Sequence, residues 1–466
     1  MMKTRYNFPG ILVIVIGILC FSCEDFVELD PPNSQVVAEV VFESDELADA
    51  AVEGIFHRLY QLTGFASGGI YSVTMLGGLS ADEFDLHNTI AYTDLPDFYQ
   101  NEISIANRAN LNVWSSGYNI IYMTNAVLEG LNSSSGVTAE TKRQLEGEVR
   151  FLRAFTYFYL VNLFGDVPLI TQTNYQDNAL TIRVSKDKIY ELIIEDLEKA
   201  KGLLDVEYPT MERTRPNSLA ASSLLARVNL YLEKWEEAEK LATEVISAAD
   251  LYNLSENLSD VFLVNSREAI WQIASAGSSY TFEGNTFILI SANSFLNPVI
   301  LSNLLLDTFE ENDARFDQWV GRFDDETDSL YYAYKYKIRF LSGAEPPVEY
   351  SIGLRLAEQY LIRAEARGKQ GNITGALHDL NTIRNRAGLE DISGITDQEL
   401  MDAIMKERRI EFFAEWGHRW LDLKRTNRAD TVISLAKPGW QSTNTLYPIP
   451  EQELERNPNL TQNEGY

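Results

Sequence analysis

Three groups of residues in this chain have types and spacings that could do chemistry. The first is a carboxylate run, Glu407, Glu411 and Glu415, at i, i+4 and i+8 within the block Glu407 to Asp422. On a helix these stack along one face, where like charges repel by about 0.2–0.5 kcal/mol per pair. Two such glutamates would suit an acid/base pair for glycoside cleavage. The preferred reading is an ion network locking helices together, with Arg384 and Arg386 in the preceding helix, or Arg419 one turn on, as the candidate opposing cations. The second group is aromatic and polar, and lies in two irregular stretches. One offers Tyr71, Asp82, Glu83, Asp85, His87, Asn88, Tyr92, Asp97 and Tyr99; the other offers Tyr280, Phe282, Asn285, Asn293, Phe295 and Asn297. Aromatic rings stack on the C–H faces of sugars while amides and carboxylates bond their hydroxyls, so these residues are the candidate ligand contacts. Asp82-Glu83-Phe84-Asp85 could also hold calcium, but it lacks the Asp-x-Asp-x-Asp-Gly spacing. The third group is the single residue Cys23.

Cys23 ends an address segment. Lys3 and Arg5 precede an apolar run from Ile11 to Phe21, then Ser22 and Cys23, the pattern of an export signal. The run is well short of the roughly 20 residues needed to cross a bilayer. Small Ser22 before the cysteine and Glu24-Asp25 after it predict cleavage at 1–22 and lipidation of Cys23. Cys20 and Phe21 depart from the usual lipobox. Removing the leader discards Lys3 and Arg5 but no acid, so the net charge moves from −29 to −31.

That charge excludes whole classes of function. With 39 Lys plus Arg against 68 Asp plus Glu, neither nucleic-acid phosphates nor anionic lipid headgroups are natural partners. Two cysteines and four scattered histidines suggest neither a disulfide framework nor a metal site. No Gly-x-Ser-x-Gly elbow, His-Glu-x-x-His pair, P-loop or Gly-x-Gly-x-x-Gly is present. No catalytic residue, metal or cofactor is assigned.

The elements that must position these residues are mainly α-helical. Helical spacing predicts helices over Leu47–Tyr60, Asn101–Leu131, Glu140–Leu163 and Lys186–Leu204. Two helical hairpins follow, Asn217–Leu232 with Trp235–Ile246 and Gly353–Gly368 with Ile373–Arg386. In each, twelve residues separate the packing alanines, Ala226 from Ala238 and Ala364 from Ala376. This is tetratricopeptide-like spacing. Because the two copies are separated in the chain, a simple array is not expected. Residues 64–100 read as a long loop, and 251–350 as a second irregular insertion. Ile270–Ile273 and Tyr332–Tyr336 are its expected short strands. Six of the seven tryptophans fall at helix-packing, strand or structural positions, which leaves stacking to Tyr and Phe.

In this order the motifs resemble the SusD/RagB surface lipoproteins of Bacteroidetes, over nearly the whole mature chain. The likeness runs through Cys23-Glu24-Asp25-Phe26, Asp30-Pro31-Pro32, Glu146–Ala154, Phe164-Gly165-Asp166-Val167-Pro168 and Leu224-Leu225-Ala226-Arg227. It continues through Ala364-Glu365-Ala366, Asn381-Thr382-Ile383-Arg384, the Glu407–Asp422 block, Tyr447-Pro448-Ile449-Pro450 and Asn457–Asn463. The resemblance implies tetratricopeptide-like hairpins forming a scaffold, with an irregular loop-rich lobe containing a few short strands. It implies a signal peptide at 1–22, a lipid-attached tether at 23–40 and a SusD-like domain at 41–466. Within that domain the N-terminal part is about 41–250 and the C-terminal RagB/SusD part about 251–466. It also implies a non-enzymatic nutrient-uptake role at the extracellular face of the outer membrane. There the protein would capture glycans, or peptides or glycopeptides, for a SusC-like TonB-dependent transporter. A surface glycosidase and a pure protein-interaction scaffold are the remaining alternatives.

Overall fold

The computed structural model describes residues 38–466 apart from 276, 293, 295, 325–328 and 341–345. Its scaffold is a stack of helices, labelled here in chain order with the short ones left unlabelled. They are α1 (Asp45–Leu59), α2 (Arg108–Ser133), α3 (Ala139–Phe164), α4 (Lys186–Leu203) and α5 (Ser218–Tyr231). Then come α6 (Trp235–Ser247), α7 (Leu356–Lys369), α8 (Ile373–Arg386), α9 (Asp397–Phe412) and α10 (His418–Arg425). Each of α2 to α9 packs on the next, so the two hairpins that are distant in sequence are neighbours in space, joined where α6 meets α7. The separation read from the chain is therefore filled by an insertion that loops out and returns. Ala226, Ala238, Ala364 and Ala376 are all fully buried, as close helix approach requires.

Helix α3 is the spine. Thr138 caps its first turn by accepting from Thr141 N, and Gly165 at φ 72° ends it. Phe151 and Phe155 each meet Trp271 edge-on at 5.0 Å, contacts whose loss with Phe155 would cost about 3–5 kcal/mol. Arginine–carboxylate pairs lock successive layers: Arg153 to Asp196, Arg227 to Glu358, and Arg363 to Asp379. None of the described helices is long and apolar enough to cross a membrane.

The region from Gly353 departs from the helical expectation. Ser351–Arg355 is a strand pairing antiparallel with Ala269–Ile273, and the helix begins only at Leu356. A Cβ on Gly353 would lie 2.4 Å from the Trp271 ring, so the glycine serves a close strand–ring approach. The second predicted strand sits slightly earlier, at Ser329–Ala333, paired with Val320–Asp324. The long loop after α1 is not featureless either. It holds a fully buried helix, Val73–Ser80, in which Gly77 packs against Gly417. A second short helix, Leu95–Gln100, ends on Asn101 in the left-handed region, and this delays α2 to Arg108.

Candidate ligand-binding site

The two irregular stretches meet and form one lobe. Phe84–Leu86 pairs antiparallel with Val299–Leu301. Phe84 stacks on Phe287 with ring centroids 5.2 Å apart. The Ser302 hydroxyl donates to the Asp82 carbonyl at 2.6 Å. His87 Nε2 lies 2.6 Å from the Ala292 carbonyl oxygen. A carbonyl can only accept, so Nε2 carries the proton and the ring ties one stretch to the other.

The lobe is anchored from below by charge. Asp82 is buried and accepts from Arg419 at 2.8 and 3.0 Å, with Arg409 2.8 Å away. Although burial acts against it, these guanidinium groups hold its carboxyl below the ordinary value. Glu83 beside it is buried with no partner on either oxygen; burial, then the Asp82 charge, push it up to about 8. Asp82 and Glu83 are therefore supports rather than ligand contacts. Asp82 and Asp85 also do not converge as calcium ligands, since Asp85 instead accepts from the Tyr99 hydroxyl at 3.1 Å. Two more candidates are structural. Asn297 is fully buried and donates to Thr286 and Ile288 carbonyls, and Asp97 binds Asn107 and the Ser104 backbone.

Above this base the remaining described candidates are all half-buried and form two groups. In the first, Tyr71 and Tyr92 meet edge-on at 6.5 Å, and Tyr99 lies over the buried ammonium of Lys437 at 5.5 Å. Asn88 closes a turn by accepting from Ile90 N. Burial holds the hydroxyls of Tyr71, Tyr92 and Tyr99 above their ordinary value, so they stay protonated and able to donate. In the second, Tyr280 meets Phe282 at 6.4 Å and exposed Phe340 at 5.6 Å. The groups are bridged by Gly68-Gly69-Ile70-Tyr71. Gly69 packs on Phe282 and Gly68 lies against the carboxyl of Glu283, at φ +73°. Asn293 and Phe295 lie outside the described residues.

Family comparison carries the same architecture. A family model described as starch-binding, associating with outer membrane, matches residues 25–230, and one described as the SusD family matches 325–466. The chain belongs to the SusD/RagB family. A SusD-like protein of Formosa agariphila is 26% identical to it over 537 aligned positions, covering 99% of this chain and all of that one. A SusD superfamily protein from Bacteroides vulgatus superposes with a TM-score of 0.80 at 22% identity, over 91% of this chain and 100% of that one. A laminarin-binding SusD-like protein gives 0.76 at 24% identity, again over 91% and 100%. At these identities the two structures establish the fold.

Within this SusD-like frame, three features escape a reading of the sequence. Tyr60 stacks on Phe282 with centroids 4.4 Å apart and donates to the Tyr280 carbonyl at 2.6 Å, although its position reads as a helix end. On either side of Tyr60 the chain borders a pocket of about 300 Å³. Arg58, Gln61, Thr63, Asn112 and Asn119 line it without any carboxylate, and the set is split between the end of α1 with the loop that follows it and α2. Arg339, next to Phe340, is the one arginine among the described residues with neither an ion pair nor a hydrogen bond.

The glutamate run resolves as a buried network. Glu407 binds Arg315 at 2.6 Å and Arg384 at 3.5 Å. Glu411 binds Arg315, Arg355 and Arg386, and Glu415 binds Lys335 and Arg355. Arg384 and Arg386 act as the sequence suggests. Arg419 does not, because it turns to Asp82; Arg315 and Lys335 from the second insertion and Arg355 at the end of the strand before α7 replace it. All three glutamates are at most 5% exposed, so no substrate reaches them as an acid/base pair. The tryptophans are likewise interior or half-buried, and none is offered to solvent.

Proposed function

We propose that this protein is a cell-surface capture protein that binds glycans on its loop lobe and passes them to a SusC-like TonB-dependent transporter. The observation that carries this reading is the meeting of two irregular stretches at one face. There half-buried tyrosines, a phenylalanine, His87 and Asn88 sit over a locked ionic base. Rings stack on sugar faces, protonated tyrosine hydroxyls and amides bond sugar hydroxyls, and the pocket beside Tyr60 extends the polar surface. The starch-binding description of the matched family and the laminarin-binding neighbour support the same ligand class. Ligand contacts are assigned to Tyr71, Asp85, His87, Asn88, Tyr92, Tyr99, Tyr280 and Phe282. Exposed Ile90, Ile290 and Leu296 on the same stretches favour a second reading, a peptide or glycopeptide carried in the same role.

The leader at 1–22, the lipid on Cys23, the tether at 23–40 and the outward-facing position in the outer membrane complete the proposal. The assignment is tested by retention of the purified mature protein on a panel of immobilised polysaccharides, with product analysis of the eluate. Retention and release of intact glycan is expected. Hydrolysis would overturn the binding role, and failure on every glycan with retention of peptides would move the ligand class.

A further inference from the structure

Helix α2 presents a second concave face, separate from the polar pocket that Asn112 and Asn119 line. Trp114, Tyr118 and Tyr122 recur every four residues and so form one stripe. This stripe walls a cleft of about 350 Å³, with Tyr175 and the C-terminal stretch around Glu453 and Arg456 also lining it. Trp114 and Tyr118 pack against each other with centroids 4.9 Å apart, and the Tyr118 hydroxyl donates to the Pro168 carbonyl at 2.8 Å. Tyr122 and Tyr175 are unlike them. They are 50% and 75% exposed, and neither meets another aromatic ring among the described residues. The Tyr122 hydroxyl has no partner there either. Rings exposed to this degree at the edge of a concavity leave a face on which a ligand can stack.

The cleft continues. Tyr122 and Thr173 also border a groove of about 610 Å³ that reaches Ser133 and Phe42. From Trp114 to Ser133 the helix spans about 28 Å at 1.5 Å per residue, so the track suits a chain molecule rather than a compact one. Its one lining cation is paired, and Glu43 at the far end adds an acid. Arg456 pairs with Glu453 at 2.8 Å, and Glu129 accepts from the Thr173 backbone and hydroxyl. An anionic polymer therefore finds no free cation. A peptide adding as a strand would need a sheet edge, whereas the long wall here is a helix whose backbone bonds are internal. A neutral glycan needs only ring faces and polar edges. We propose that this cleft is a second carbohydrate-binding site, which takes a neutral oligosaccharide segment stacked on Tyr122 and Tyr175 independently of the loop lobe.

The test uses mature protein labelled with 3-fluorotyrosine, in which Tyr122→Phe and Tyr175→Phe assign the two fluorine resonances. Maltohexaose, laminarihexaose, mannohexaose and xylohexaose are titrated to about 10 mM, high enough to see binding weaker than millimolar. Both resonances should move with one dissociation constant for at least one sugar. The single Tyr122→Ala and Tyr175→Ala variants, each read on the labelled tyrosine that remains, should lose that affinity several-fold, about 2- to 12-fold for one ring. The Tyr92→Ala/Tyr99→Ala variant should still show the shifts, which separates this cleft from the loop lobe. Resonances fixed for every sugar would overturn the proposal, as would shifts that vanish in the Tyr92→Ala/Tyr99→Ala variant.

Discussion

Asp82→Asn probes the base on which the ligand lobe stands. At neutral pH the cluster is one ionised carboxylate, Asp82, against the guanidinium groups of Arg409 and Arg419, with Glu83 protonated beside them. All four groups are at least largely buried; Asp82 is 6% exposed and Glu83 1%. Removing one member of a buried ion cluster costs about 3–5 kcal/mol, mostly from the charge left behind. Here the loss should depend on pH. Glu83 is raised to about 8 by burial first and by Asp82 second, while both arginines lower it. With Asp82 neutral, that repulsion disappears and the attractions of Arg409, Arg419 and Lys335 remain, so Glu83 ionises at lower pH and partly replaces the lost charge. Urea unfolding at about pH 5 should show the full loss, and at about pH 8 roughly half of it. In the Asp82→Asn/Glu83→Gln double variant, compared with Glu83→Gln alone, the pH dependence should shrink to the part carried by Lys437, which burial lowers to about 7 and whose ammonium Asp82 favours. An Asp82→Asn loss equal at both pH values would refute the reasoning, as would a recovery undiminished in the double variant.

Other outcomes follow from the same geometry. Gly68→Ala would place a Cβ 2.0 Å from the Glu283 carboxyl at φ +73°. It should cost about 1–3 kcal/mol in urea unfolding and weaken glycan binding without altering a ligand contact. Glu283 is pushed from 4.5 up to about 7, chiefly by burial. Its folded form keeps a proton that the unfolded chain releases, so its stabilising share is whole below about pH 4.5 and is lost as pH rises through about 7. The slope is up to about 1.4 kcal/mol per pH unit. Glu283→Gln should flatten the stability profile in that window, and an unchanged slope would contradict it. Cys23→Ala should move the protein from the membrane to the soluble fraction with its melting temperature intact; unfolding instead would contradict the tether.

How much was legible in the sequence depended on whether a feature is local. Helix spans were readable because apolar residues recur along one segment, and the paired alanines marked both hairpins. Their contact through α6 and α7 was not readable, since it depends on where a hundred-residue insertion returns. Gly353 looked helical because a glycine facing Trp271 leaves no periodic signal. In the site, Tyr92, Tyr99 and Tyr280 stood out by type and by loop context. Asp82 was misassigned because its partners, Arg409 and Arg419, are more than three hundred residues away. Arg58 and Asn119 meet across two helices, so neither helix alone shows their pocket. Arg339 is conspicuous only once every other described arginine has been seen to have a partner.

The central claim is that the loop lobe holds the glycan. Its most direct test is the affinity of the best-retained oligosaccharide for wild type and for Tyr92→Ala/Tyr99→Ala, by titration calorimetry on proteins with matching melting temperatures. Two stacking rings at about 0.5–1.5 kcal/mol each predict a loss of about tenfold or more in the dominant binding event. An unchanged dissociation constant would contradict the claim and remove this lobe from the site.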